Sequence, residues 1–437
     1  MKLTHKFKIP YKKDLYHQLK NKQLESGKCW SDVVRYANDH YFTFKKWIST
    51  SELVKMTKNT YDLHSQTVQE IVAKYDENRT STLTKRRNGD KNAKYPWRSK
   101  RFFSIPYKKS AISVKDNIII LKNSNYSNKL SLKNMVEKKK KKGWNETVKK
   151  QKDYIEIPNL AIENLSNISY AEIVYKNGSY WFHYVIEVEE EAKVKRFKPA
   201  GSDLGEIHSI TLATEDKALV ISGRAIRSIK QRRAKLLSEL SKKISRCKKG
   251  SRQQKKYIKA KNRLKSKSDA QIEYLIHKST KEAINFLVQE KVSDLVVGNP
   301  EGIEKNSKKD ENKKKKNNKT RRQQLSGWSY GEFKQQLKYK SELKGINIHF
   351  VNESYTSQDC PFCGGRHKAN GRKFKCSVHN TEIHRDVNGA QNICRKRFAM
   401  ETKSVDVLYR QPVWYRRYLT VKKRKETSDK SIAWRKA

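Results

Sequence analysis

The sequence predicts an α/β multidomain chain, and three features carry that expectation. An early stretch spaces its apolar residues for helices, a middle stretch changes to short β-rich runs, and the second half alternates apolar strands with long helical stripes. The 437 residues leave room for roughly three domains of ~150 residues each.

Leu3, His5, Phe7 and Ile9 alternate as one strand that Pro10 ends. Residues 11 to about 78 read as helices. Ser31 is placed to cap a helix carrying Val33, Val34, Tyr36, Ala37, Tyr41 and Phe44, and Leu63, Val68, Ile71, Val72 and Tyr75 form a second apolar face. Residues 79–100 are polar, basic and turn-rich, and read as a loop that touches phosphates. From Phe102 to Glu191 short apolar runs recur at 111–114, 118–121 and 154–157. Asn177-Gly178, between two β-rich arms, is the pair a type I′ hairpin requires. The lysine-rich stretch 136–152 between these strands reads as a solvated loop. The expected organisation is a β unit of residues 1–10 and 101–193, with a helical block, 11–100, inserted into it.

A second region starts near residue 194 with a short strand reaching Asp203, followed by a hairpin whose arms flank Glu215-Asp216-Lys217. Ile226, Ile229, Leu236, Leu240 and Ile244 keep a helical stripe while Lys230, Arg232, Arg233 and Lys235 crowd the other faces. A helix over about 252–290 leads to VSDLVVGN, a buried strand closed by Gly298-Asn299-Pro300. Residues 305–322 are a low-complexity lysine-rich stretch. A helix over 329–344, beside Trp328, precedes the strand INIHFVNES. Asp386 opens an amphipathic helix with Val387, Ala390, Ile393 and Phe398, and residues 401–437 read as a flexible basic tail.

Charge narrows the function. Ninety-nine Lys and Arg oppose 45 Asp and Glu, for a net +54, and such a chain repels itself unless a polyanion neutralises it. Twenty-two Tyr, 13 Phe and 8 Trp supply enough apolar surface for real cores, which argues against full disorder. Nucleic acid is the leading partner, ahead of an acidic membrane surface. With no apolar run of ~18 residues and no signal-peptide start, the expectation is an intracellular, cytoplasmic, nucleic-acid-associated protein with no membrane partner. Trp30, Tyr41, Trp47, Trp97, Phe102 and Phe103 lie among basic residues, as core or as base-stacking groups.

In a reducing compartment the six cysteines speak for metal or free thiols rather than disulfides. Cys360 and Cys363 form a knuckle with two residues between them, and Cys376 and His379 repeat that spacing. Such a Cys₃His set favours Zn²⁺ in a closed structural site. His367 and His384 are rivals for the fourth position. Among few carboxylates, Asp203 ends a strand between Gly201 and Gly205, glycines read as letting a phosphate approach, and Asp386 starts a helix. A two-Mg²⁺ nuclease needs such acids converging from different elements. The plainer readings are a turn residue and an N-cap.

The segments GSDLGE, KKGSRQQKKYIKAKNRLKSK, LIHKSTKEAI, LVVGN and YTSQDCPFCGG…CSVH…HRDVNGAQNI, over about residues 200–396, resemble the TnpB family of transposon-encoded RNA-guided DNA endonucleases and the compact type V CRISPR effectors related to it. The resemblance implies a RuvC nuclease domain of RNase H-like fold, over 194–355 and 380–400, interrupted by a zinc-ribbon insertion over 356–379. It also implies a wedge-like β domain with an inserted helical recognition block, and a guide RNA and target double-stranded DNA as partners. Asp203 and Asp386 match the first and last acids of the catalytic triad. The middle acid is usually a Glu ending the strand that here reads LVVGN; Gly298-Asn299 stand there instead. Glu353, on the following strand, is the preferred replacement, with Glu301 and Glu304 as rivals. The three acids Asp203, Glu353 and Asp386 would hold two catalytic Mg²⁺, and Cys360, Cys363, Cys376 and His379 a structural Zn²⁺. The alternative is a nuclease-inactive, repressor-like RNA-guided DNA-binding protein, kept open by the missing Glu at 298. A non-catalytic zinc-ribbon RNA-binding protein fits the motif context poorly.

Overall fold

The computed structural model describes residues 1–123, 154–159, 168–193, 195–299, 324–367, 371–376, 378–379, 382–401 and 405–413. These fall into two compact units, Met1–Val188 and Glu189–Ala437. The basic stretches 136–152 and 305–322, Glu301, Glu304 and residues 414–437 lie outside the described residues.

In the first unit, β1 (Lys2–Lys8) pairs antiparallel with β7 (Ser179–Glu187). β7 forms a hairpin with β6 (Ile168–Lys176), and β2 (Ile105–Lys108) completes a sheet in the order β1-β7-β6-β2. The hairpin turns at Asn177 (φ 51°) and Gly178 (φ 84°), the positive pair a type I′ turn needs. A second antiparallel sheet holds β3 (Ile112–Lys115), β4 (Ile118–Lys122) and β5 (Tyr154–Pro158). Between β1 and β2 run α1 (Lys13–Phe44), α2 (Thr50–Thr57) and α3 (Ser65–Arg87). One apolar core joins helices and sheets through Leu19, Trp30, Ile71, Tyr107, Ile157 and Phe182.

Two boundaries differ from expectation. Ser31 does not cap a helix: α1 passes straight through it, and its Oγ donates back to Gly27 O at 2.8 Å. The working cap is Ser49 at α2, whose capping box with Glu52 is complete. Helix also continues beyond residue 78 to Arg87. There Arg79 pairs with Asp76 one turn back, and Thr82 Oγ1 donates to Asn78 O at 2.9 Å. Of the aromatics among basic residues, Trp30 is core, stacked on Phe103 at 4.6 Å with Lys100 Nζ over both rings. Tyr41, Trp47 and Trp97 cluster together, and Trp97 and Phe102 remain exposed.

The second unit is built on a six-stranded mixed sheet, ordered β12 (Asn347–Asn352), β11 (Asp294–Asn299), β8 (Pro199–Asp203), β9 (His208–Ala213), β10 (Lys217–Ser222), β15 (Asp406–Arg410). β8, β11 and β12 run parallel; β9 is antiparallel to both its neighbours. Both faces are covered. On one lie α4 (Arg224–Ser245), α5 (Arg252–Gln289) and α6 (Tyr330–Leu343), packed through Ile226, Ile276, Leu287 and Phe333 against Ala200, Leu212, Leu295 and Val297. On the other lies α7 (Arg385–Arg395), with Val387 and Ala390 against Ala213 and Val220, and Ile393 against Val296. Coverage on both sides is why β11 reads as an unbroken apolar run. Residues 406–410, expected within a flexible tail, form a sixth strand parallel to β10.

The glycines around Asp203 serve packing, which corrects their reading as phosphate-admitting. A Cβ on Gly201 would sit 1.8 Å from Ala390 O, so α7 rests directly on β8; one on Gly205 would meet His208 O at 2.7 Å.

Candidate active site and thiol cluster

Two strands and one helix carry the acids. Asp203 ends β8, Glu353 follows β12 by one residue, and Asp386 lies in the first turn of α7. β11 separates β8 from β12, and its penultimate residue Gly298 pairs in register with Val351. Here the departure at Gly298 acquires a physical meaning. A Cβ at 298 would stand 2.9 Å from Glu353 Oε2 and 3.2 Å from Glu353 Cβ. The Glu353 side chain therefore fills the space above the bare glycine.

Electrostatics couple Asp203 to each of the other two acids. Burial pushes Asp203 up to about 7, with the Asp386 charge adding to the rise. Burial pushes Glu353 up to about 8, and the Asp203 charge adds again. Asp386 goes the other way. Burial alone would raise it, but a hydrogen bond from His208 and the charge of Arg372 hold it below the usual carboxylate range. His208 Nδ1 lies 2.6 Å and Arg372 Nη1 2.7 Å from Asp386 Oδ2. Asp386 is not the N-cap of α7; His384 holds that position, without a side-chain cap bond. Glu353 Oε2 is buried with no hydrogen-bond partner, a costly state for a carboxylate unless a cation answers it. Three carboxylates, one of them with an orphaned buried oxygen, fit a hard divalent ion such as Mg²⁺.

The thiols also meet. One donor atom each from Cys360, Cys363, Cys376 and His379 lies within 4.8 Å of the others. Cys363 Sγ is 3.8 Å from Cys376 Sγ, and Cys376 Sγ is 3.5 Å from His379 Nδ1. Against the pull of desolvation, hydrogen bonds from His379 bring Cys376 down to about 6, towards the thiolate that metals require. The donor chemistry fits Zn²⁺. His367 stays in contention, with Nε2 3.8 Å from Cys363 Sγ and 3.6 Å from Cys376 Sγ. His384 lies elsewhere, its ring 5.5 Å from that of His208. β13 (Lys373–Lys375) and β14 (Glu382–His384) link the cluster to α7, with Lys373 opposite His384.

Sequence reasoning missed His208 and Arg372. Each meets Asp386 only because the chain folds back, across the β8–β9 turn and the β13–β14 hairpin, and neither stands at a telling spacing.

The described elements define a mixed α/β multidomain protein. Two family models match: "Cas12f1-like, TNB domain" over residues 330–393 and "Probable transposase" over 183–304. A TnpB-like protein of Methanocaldococcus jannaschii is 25% identical over 236 residues, 51% of this chain and 80% of that protein. The CRISPR-associated endodeoxyribonuclease Cas12f2 of a Micrarchaeota archaeon is 26% identical over 254 residues, 52% of this chain but only 43% of that relative. A solved structure of a Cas12f1–sgRNA–target DNA complex superposes with a TM-score of 0.56 at 16% identity, covering 88% of this chain and 83% of that one. The resemblance to TnpB and the compact type V effectors read from the motifs is thereby borne out. Among the described residues, no helix is long and apolar enough to cross a membrane.

Proposed function

We propose that this chain is an RNA-guided DNA endonuclease. A guide RNA pairs with target double-stranded DNA beside a short duplex motif, and a RuvC-type site in an RNase H-like domain hydrolyses phosphodiester bonds. The domain spans residues 194–355 and 380–400, to whose sheet β15 (406–410) adds an edge strand, with the zinc ribbon at 356–379. The unit of 1–10 and 101–193 acts as the wedge, and 11–100 as the recognition block. The +54 charge suits two dense polyanions held by backbone contacts.

Asp203, Glu353 and Asp386 would hold two Mg²⁺ ions, which supply an activated water and charge stabilisation for the leaving oxygen. The chain's own part is to bring three carboxylates to one place. β8 and α7 are locked by backbone packing at Gly201. Glu353 is seated over Gly298. His208 and Arg372 orient one oxygen of Asp386. Cys360, Cys363, Cys376 and His379 would hold Zn²⁺ as a structural clamp.

The observation that carries the reading is Glu353 occupying the room that Gly298 leaves. The nuclease-inactive alternative draws on the missing acid at 298, and a replacement acid at that spot supports cutting instead. The test is to purify the protein with its co-expressed RNA, sequence the RNA, and assay Mg²⁺-dependent cleavage of a matching plasmid. Cleavage abolished by Asp203→Ala and by Glu353→Gln is expected. Guided binding without cleavage by the unaltered protein would overturn the reading.

A further inference from the structure

A second group of metal-ligating side chains shares Asp386 with the three acids and adds two imidazoles to it. His208 and His384 bring their rings to 5.5 Å centroid separation, and one donor atom from each lies within 4.8 Å of an Asp386 oxygen. His208 opens β9 and His384 closes β14, so two separate parts of the fold present imidazoles to one carboxylate. His384 Nδ1 is buried without a hydrogen-bond partner. A buried imidazole nitrogen left without a partner is a cost that a bound cation can remove.

We propose that His208, His384 and Asp386 form a further divalent-cation site, selective for a borderline first-row ion such as Zn²⁺, Co²⁺ or Ni²⁺ over Mg²⁺. Two imidazoles and a carboxylate suit such ions, whereas Mg²⁺ demands oxygen donors. The surroundings sharpen the choice. Arg372 Nη1 lies 2.7 Å from the same Asp386 Oδ2, and its charge opposes any cation held by electrostatics alone. Imidazole coordination outlasts that repulsion. The Arg372 side chain is 42% exposed, which leaves it room to withdraw as an ion enters. Because the site draws on Asp386, its occupant competes with the Mg²⁺ pair for that carboxylate and slows cleavage.

This inference goes beyond the nuclease reading, and its test needs no cleavage. The RNA-free full chain, carrying a single zinc equivalent for the thiol cluster, is titrated with Co²⁺ by calorimetry in millimolar Mg²⁺, with visible absorption recorded alongside. The expected result is one saturable equivalent whose bands lack thiolate charge transfer. Binding should weaken by about tenfold or more in the His208→Gln/His384→Gln variant. It should tighten in Arg372→Met, which leaves the donors intact and keeps the test decisive if the double variant misfolds. Three results would overturn the proposal: no saturable Co²⁺ binding by the unaltered chain, equal affinity in a folded double variant, or bands of thiolate origin.

Discussion

Gly298→Ala probes the relation between the bare glycine and the acid above it. The added methyl would lie 2.7 Å from Ile393 Cδ1 and 2.9 Å from Glu353 Oε2, where unstrained contacts need about 3.5 Å or more. Both neighbours are side-chain ends, so they yield before the backbone does, and the carboxylate moves by roughly half an ångström. Overpacking by one methyl costs about 1–3 kcal/mol, and in a domain this size ~1 kcal/mol lowers Tm by about 2–4 °C. Misplacing a reacting group by about 1 Å costs on the order of 100-fold in rate, so a half-ångström shift predicts roughly a tenfold loss. Single-turnover cleavage of a guide-matched plasmid and a thermal melt measure the two effects. Full-rate cleavage at an unchanged Tm would refute the steric coupling. The swapped pair Gly298→Glu/Glu353→Gly should recover part of the rate that Glu353→Gly alone loses.

Gly201→Ala should be harsher on stability, because its methyl meets the backbone carbonyl of Ala390 at 1.8 Å. α7 must lift from β8, at the upper end of about 1–3 kcal/mol or beyond, and a calorimetric melt equal to that of the unaltered chain would contradict this packing account. Cys376→Ser should abolish zinc retention after dialysis, measured by elemental analysis, and open residues 356–379 to proteolysis. Glu290 is half-buried, which alone would raise its pKa, but hydrogen bonds from Lys217 and Lys198 hold it below the usual value. A depressed carboxylate stabilises above its unfolded pKa of about 4.3, and that stability is lost as pH falls through the folded value. Glu290→Gln should therefore cost about 1–2 kcal/mol at pH 7, and the gap in urea midpoints should shrink only as pH falls below about 4.

What could be read from residues alone was whatever is local or periodic. The apolar run of β11 announced a strand covered on both faces, Asn177-Gly178 announced its hairpin, and the thiol spacing brought out the very donors that meet. What needed the fold was contact across the chain. Ser31 mimicked a cap because serine before an apolar stripe is ambiguous when α1 runs on beneath it. β15 is nearly all exposed, and three apolar residues within a basic tail were too few to mark it as a strand. Gly201 and Gly205 looked like openings for a ligand, since composition cannot distinguish a gap facing solvent from one filled by a neighbouring helix.

The pairing of Gly298 with Glu353 bears on how similar chains are compared and recombined. Transplanting a glutamate to 298 from a relative would force two acids into room built for one. Trimming 353 by itself would leave none. The two positions therefore have to be exchanged together, and a glycine at the first position with an acid at the second becomes a two-letter marker for sorting sequences by where they keep the third carboxylate.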